Sequence, residues 1–176
     1  MKKIFLTIIV LSVSVSMFSQ ENFETKKHLK IVEIGAGLGS MYDYGFVKAK
    51  VHFIYNYQFN PYIALGCGAG AEYYLFTEGL TVPVYANARF TYPLGKVSPY
   101  AAFGFGYDVF GFIFNGGGIY FNPSFGIKIQ KSKVSWLVNV SYDMQQMSGY
   151  YYYDYNGNDY ENKNIGAFAI NAGIIF

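Results

Sequence analysis

From Ile31 to Phe176 apolar and polar residues alternate with a period of two, in segments separated by turn signals. Side chains of a β-strand point to opposite faces in alternation, so this period predicts strands with one face of each kind. Eight segments carry it: 31–40, 46–58, 62–76, 80–92, 97–109, 118–130, 133–145 and 164–176. In the last, Gly166, Phe168, Ile170, Ala172, Ile174 and Phe176 share one face, and Ile165, Ala167, Ala169, Asn171, Gly173 and Ile175 the other. In the second, Val47, Ala49, Val51, Phe53, Tyr55 and Tyr57 stand opposite Lys48, Lys50, His52, Asn56 and Gln58. Lys133 at the very start of the seventh segment aside, every charge in the eight segments falls on the face of small and polar residues: Glu33, Lys48, Lys50, Glu72, Arg89, Asp108, Lys128 and Asp143, with His52 among them.

The other face carries no charge and is mainly apolar and aromatic, as hydrocarbon contact requires; a basic residue at mid-bilayer there would cost about 2–4 kcal/mol. Each segment is long enough to cross a membrane at a tilt. Connectors alternate in character. Phe59-Asn60-Pro61, Pro93-Leu94-Gly95-Lys96 and Lys131-Ser132 are short, whereas Phe110–Gly117 and Gln146–Lys163 are long. Short periplasmic turns and longer extracellular loops have this asymmetry. The pattern predicts an all-β fold: a closed eight-stranded antiparallel up-and-down transmembrane β-barrel. Outward aromatics near the strand ends (Tyr55, Tyr57, Phe90, Tyr92, Trp136 and Phe176; Tyr73, Tyr107 and Tyr142) predict two interfacial girdles.

Eight strands enclose a lumen just wide enough for side chains. The eight inward charges named above are four of each sign, and buried charges need partners. A neutral plug is therefore expected, not a pore. Hairpin counting sets Lys48 beside Glu72 and Glu33 near His52, while the glycines at 35/37/39 and 66/68/70 leave room for long neighbours. Pro83, Pro99 and Pro123 fall within strands of a sheet with no free edge, so bulges or ladder gaps are expected there.

Composition agrees. Of 176 residues, 52% are hydrophobic and only 14% charged, too few for a water-facing surface, which usually carries roughly 25–35%. Met1–Ser19 reads as a signal peptide: Lys2 and Lys3, an apolar stretch from Ile4 to Val15, and a cut after Ser19. Residues 20–30 are polar and read as a periplasmic lead-in, and 31–176 as the barrel. Without Lys2 and Lys3 the 13 basic residues become 11 against 11 acidic ones. That balance excludes the basic surplus of a nucleic-acid-binding protein. The single cysteine, Cys67, falls on the apolar face and is expected to act as a small hydrophobe.

Candidate chemistry is sparse. The two histidines, His28 and His52, lie in the lead-in and the lumen, away from any outer rim where a histidine-dependent hydrolase would work. No catalytic residue, metal site or cofactor is expected. The segment 146–163 is the one recognition candidate. Tyr151, Tyr153, Asp154, Tyr155, Asn156, Asn158, Asp159 and Tyr160 combine amphipathic rings with adaptable hydrogen bonding, suited to an extracellular glycan or protein ligand. The run Asp154-x-Asn156-x-Asn158 opens like a calcium loop, but Gly157 is not at the position where that turn needs a glycine and no Glu closes it.

The leader, the eight alternating segments, the loop asymmetry and the ending Ala172-x-Ile174-x-Phe176 together resemble the small outer-membrane β-barrels of the OmpA/OmpX type, over about residues 31–176. The resemblance implies a monomer in the outer membrane of a Gram-negative bacterium, with outer-membrane lipid and the barrel-insertion machinery as partners. It makes Phe176 an insertion signal, and it implies a role in envelope structure, adhesion or surface binding. Three alternatives remain at this stage: an outer-membrane enzyme acting on lipid or glycan, a narrow channel, and a soluble lipocalin-like secreted barrel with its apolar face turned inward around a ligand.

Overall fold

A computed structural model describes the backbone of residues 27–41, 44–75, 79–111, 117–131, 134–154 and 157–176, and the side chains of these except at 41, 44, 110–111 and 147–163. Eight strands run β1 His28–Met41, β2 Tyr44–Gln58, β3 Ile63–Tyr74, β4 Gly79–Thr91, β5 Val97–Gly111, β6 Gly118–Lys131, β7 Val134–Asp154 and β8 Gly157–Ile175. Each pairs antiparallel with its sequence neighbours, and β1 also pairs with β8, from Ile31↔Ile175 to Ser40↔Gly166. The sheet is thus a closed barrel without an edge, and its backbone hydrogen bonds are satisfied internally, as a bilayer demands.

Burial runs opposite to that of a water-soluble domain. The outward face exposes Phe168 (72%), Ile170 (68%), Leu38 (67%) and Phe125 (65%), while Lys48, Glu72 and Asp143 are at most 1% exposed inside. Apolar exposure on this scale all round a body exceeds what soluble monomers carry. The aromatics expected at the strand ends are outward, among them Tyr57, Tyr92 and Trp136 at the end bearing the short turns and Tyr73 and Tyr107 at the other.

Local chemistry sets the short turns. Asn60 Oδ1 accepts hydrogen bonds from the amides of Tyr62 (2.9 Å) and Ile63 (2.8 Å), closing the β2–β3 turn ahead of β3. Gly95 has φ of 88° in the β4–β5 turn, a left-handed conformation that costs little without a Cβ.

The three strand prolines behave differently. At Pro83 the β4–β5 register shifts by one residue between Thr81 and Pro83. Asp108 fills the fault: its Oδ1 accepts from the Val82 amide at 2.9 Å. At Pro123 the β6–β7 pairing lapses between Phe121↔Met144 and Ser124↔Ser141 without a shift. At Pro99 there is neither bulge nor gap, contrary to the sequence expectation. Its pairing with Ile127 is regular, and its missing N–H faces the end of β4, where pairing stops at Thr91↔Tyr100.

Two further boundaries depart from expectation. β1 begins at His28, so part of the expected lead-in is strand, with Lys30 on the outward face at the turn end. The hairpin β7–β8 continues to Asp154↔Gly157, so most of 146–163 is paired strand and not loop. The expected signal peptide, 1–19, lies outside the described residues.

Candidate functional site: the buried belt and the projecting hairpin

The barrel interior is layered. Toward the turn end, Leu29, Ile31, Ile54, Leu137 and Ile175 belong to a buried apolar cluster; toward the loop end, Phe46, Tyr74, Ile165 and Ala167 form a second. Sequence reasoning described the inward face as small and polar and did not foresee these apolar layers. Between them lies a belt of charge.

The belt is built on the inward positions of five strands. Lys48 Nζ lies 2.6 Å from Glu72 Oε2 and 2.9 Å from Asp143 Oδ2. Lys50 Nζ donates to both Asp143 carboxylate oxygens at 2.9 Å and to Ser141 Oγ at 3.0 Å. Glu72 Oε1 lies 3.1 Å from His52 Nε2 and accepts from the Tyr120 hydroxyl at 3.2 Å, while its Oε2 also accepts from Gln145 Nε2 at 3.0 Å. His52 Nδ1 lies 2.8 Å from the Tyr85 hydroxyl. One tautomer suits both contacts, with Nε2–H donating to Glu72 and Nδ1 accepting from Tyr85. Asn122 Nδ2 donates to Asp143, and the Tyr74 hydroxyl donates to Gln145 Oε1.

A second pair lies apart from this cluster. Arg89 Nη2 sits 3.0 Å from Glu33 Oε1, and the guanidinium stacks 4.3 Å from the centre of the Tyr100 ring. The Tyr100 hydroxyl accepts from Asn139 Nδ2 at 2.8 Å, and Asn139 Oδ1 from Asn171 Nδ2 at 2.6 Å.

Seven of the nine sequence-predicted lumen residues therefore meet in these two groups: Glu33, Lys48, Lys50, His52, Glu72, Arg89 and Asp143. Asp108 serves the Pro83 fault, and Lys128 is half-buried lower on β6, in register with Ser98 and Leu137. Register counting from the sequence placed Lys48 opposite Glu72. The ladder instead pairs Lys50 with Glu72 and Lys48 with Tyr74, and Lys48 reaches the carboxylate diagonally. Glu33 is in register with His52, yet its carboxylate goes to Arg89. Tyr74, Tyr120 and Gln145 were missed as members of the belt. Their inward parity was visible, but a tyrosine on a sheet face carries no sign of its partner.

Glycines make space for the belt. A Cβ on Gly68 would stand 2.5 Å from Cζ of Tyr85, and one on Gly104 3.0 Å from Cδ2 of the same ring. Tyr85 thus lies flat between two strands that give it room.

The recognition candidates occupy the β7–β8 hairpin. The last β6 partner of β7 is Tyr120↔Gln145, and the last β1 partner of β8 is Ser40↔Gly166. Beyond these, β7 and β8 pair only with each other among the described residues, through Tyr151↔Tyr160, Tyr152↔Asp159, Tyr153↔Asn158 and Asp154↔Gly157. They form a two-stranded ribbon rising past the barrel wall. Tyr155 and Asn156 lie outside the described residues. At the opposite end Phe176 is exposed, and its amide donates to Lys30 O at 3.0 Å.

No protein-family model and no curated protein matches the sequence. Among solved structures, Neisserial surface protein A superposes with a TM-score of 0.61 at 12% identity, covering 85% of this chain and 96% of that one. This is the fold of the small outer-membrane β-barrels. Looser superpositions are given by the outer membrane enzyme PagL (TM-score 0.49, 12% identity, 80% and 97% coverage) and the N-terminal β-barrel domain of Pseudomonas aeruginosa OprF (0.43, 15%, 85% and 99%). At such identities the likeness is one of fold and carries no residue role across.

Proposed function

We propose that this barrel resides in the outer membrane of a Gram-negative bacterium, that it is closed to ion flow, and that it acts as a structural or surface-binding protein through the β7–β8 ribbon. The observation that carries the reading is the inverted burial: hydrocarbon-compatible side chains outside, ion pairs sealed between apolar layers inside. The same observation weighs against a lipocalin-like soluble barrel, whose interior would be the apolar face. It weighs against a channel because Lys48, Lys50, Glu72 and Asp143 spend their charge on one another across the lumen.

The ribbon supports the surface-binding part. It is longer than any other described strand pair and carries Tyr151, Tyr153, Asp154, Asn158, Asp159 and Tyr160, a composition suited to glycan or protein contact. No catalytic role is assigned. Phe176 is proposed as the signal read by the barrel-insertion machinery.

Two measurements test this. Protease added to intact cells is expected to cut within 147–163 and leave the rest intact; cutting in the turns at 59–62 or 92–96 would reverse the topology. The lone Cys67, exposed on the outward face of β3, is expected to react in proteoliposomes with a membrane-permeant maleimide and not with a charged one. Equal reaction with both would place that face in water.

A further inference from the structure

We infer that the periplasmic rim holds a specific site for one anionic glycerophospholipid, an inference that rests on the outer-membrane reading above. The outward face is not evenly covered. In one row Phe90 of β4 pairs with Ala101 of β5, which pairs with Phe125 of β6. The next outward residue on β5 is Pro99. Two residues with little side chain thus form a floor between aromatic walls. The result is an apolar groove of about 570 Å³, bounded toward the turns by Tyr92 and Tyr62, whose rings lie 6.5 Å apart. A volume of this size falls in the range of small-ligand sites. Flanking aromatics, a small-residue floor and an axis along the strands suit an acyl chain.

Charge supplies the second half of the site. Among the described residues every exposed Lys, Arg, Asp or Glu is a lysine at this one end: Lys27, Lys30, Lys96 and Lys131. The acids described are all turned into the barrel. Lys96 lies in the turn between Tyr92 and Pro99, about 10 Å along the chain from the groove floor by strand rise. Its carbonyl accepts from the Gln130 amide at 2.8 Å, which sets Lys131 beside the same turn. On β6 the outward ladder reads Phe125, Ile127, Ile129, Lys131, apolar until the lysine. A phosphodiester with no compensating ammonium, seated at the level of Lys96 and Lys131 with a chain in the groove, meets both chemistries. Rim lysines near a membrane surface attract anionic headgroups, and tyrosines sit at the headgroup level. A zwitterionic phospholipid would bring its own ammonium against the lysines and gain less.

The test uses the full-length barrel, refolded in mild detergent and titrated with chain-matched phosphatidylglycerol or phosphatidylethanolamine, with bound lipid counted by native mass spectrometry. The expected result is one phosphatidylglycerol bound roughly tenfold more tightly than phosphatidylethanolamine, on the order of 1.4 kcal/mol. Ala101→Phe, which fills the floor, is expected to weaken both lipids. Lys96→Gln with Lys131→Gln, which removes both charges, is expected to abolish the preference and leave phosphatidylethanolamine binding nearly unchanged. Ala86→Phe, another exposed small residue of β4, is the control and is expected to change neither.

Equal binding of the two lipids by the unmodified barrel overturns the proposal. So does an Ala101→Phe protein that binds as before, which would leave lysines without a chain site. The outer-membrane reading fails separately, if the barrel does not insert into lipid bilayers at all.

Discussion

Among the described residues Lys48 and Glu72 form the shortest ion pair, 2.6 Å, although they are not register partners. The ladder sets Lys50 opposite Glu72, and Lys50 turns away to Asp143. Lys48, one inward position further along β2, bridges the two acids. The belt is thus a crossed arrangement in which each acid carries a lysine and Lys48 ties them together. Removing one member strands a charge in a site that water does not reach.

Lys48→Met is therefore expected to destabilise the barrel by about 3–5 kcal/mol, the usual cost of breaking a buried pair. The double change Lys48→Met with Glu72→Met is expected to cost less than the sum of the singles, with a coupling of about 0.5–3 kcal/mol. Urea unfolding in lipid vesicles, followed by tryptophan fluorescence, measures both; strict additivity would mean that the pair is not energetically coupled.

Gly68→Ala is expected to cost about 1–3 kcal/mol by overpacking, because the new methyl would overlap Tyr85. Gly68→Ala combined with Tyr85→Leu should recover part of that loss. Were the single change silent, Tyr85 would have another place to go.

Asp108→Ala is expected to lose about 1–3 kcal/mol by orphaning the half-buried Val82 amide beside the Pro83 fault, whereas Asp108→Asn keeps an acceptor and should lose less. The difference between the two variants, read as a shift in the urea midpoint, isolates the hydrogen bond from the charge.

Gly95→Ala is expected to cost about 1–2 kcal/mol, since the β4–β5 turn holds this residue at φ of 88° with open space around it. The cost comes from the backbone alone, so Gly95→Asn, which tolerates the left-handed region, should be milder. The same denaturation midpoints check the ranking.

Strand number, face parity and the inward position of Glu33, Lys48, Lys50, Glu72, Arg89, Asp108, Lys128 and Asp143 were legible because each rests on a period of two that a single strand declares without its neighbours. Val51, Leu65, Val84, Phe103, Ile127, Val138 and Ile170 are outward as the alternation requires. The extent of β7 and β8 was misread because Tyr, Asn, Gly and Asp between 150 and 160 carry turn chemistry, and only pairing with a partner strand made them a ribbon.

Alternation along each strand determined by itself which side chains enter the barrel and which meet hydrocarbon. The partners inside were decided by closure: Lys50 finds Asp143 across 93 positions of sequence, and Arg89 finds Glu33 across 56, because eight tilted strands bring their inward faces to one narrow axis. A period states a direction, whereas a contact needs two directions to converge, and convergence exists only once β1 has closed on β8.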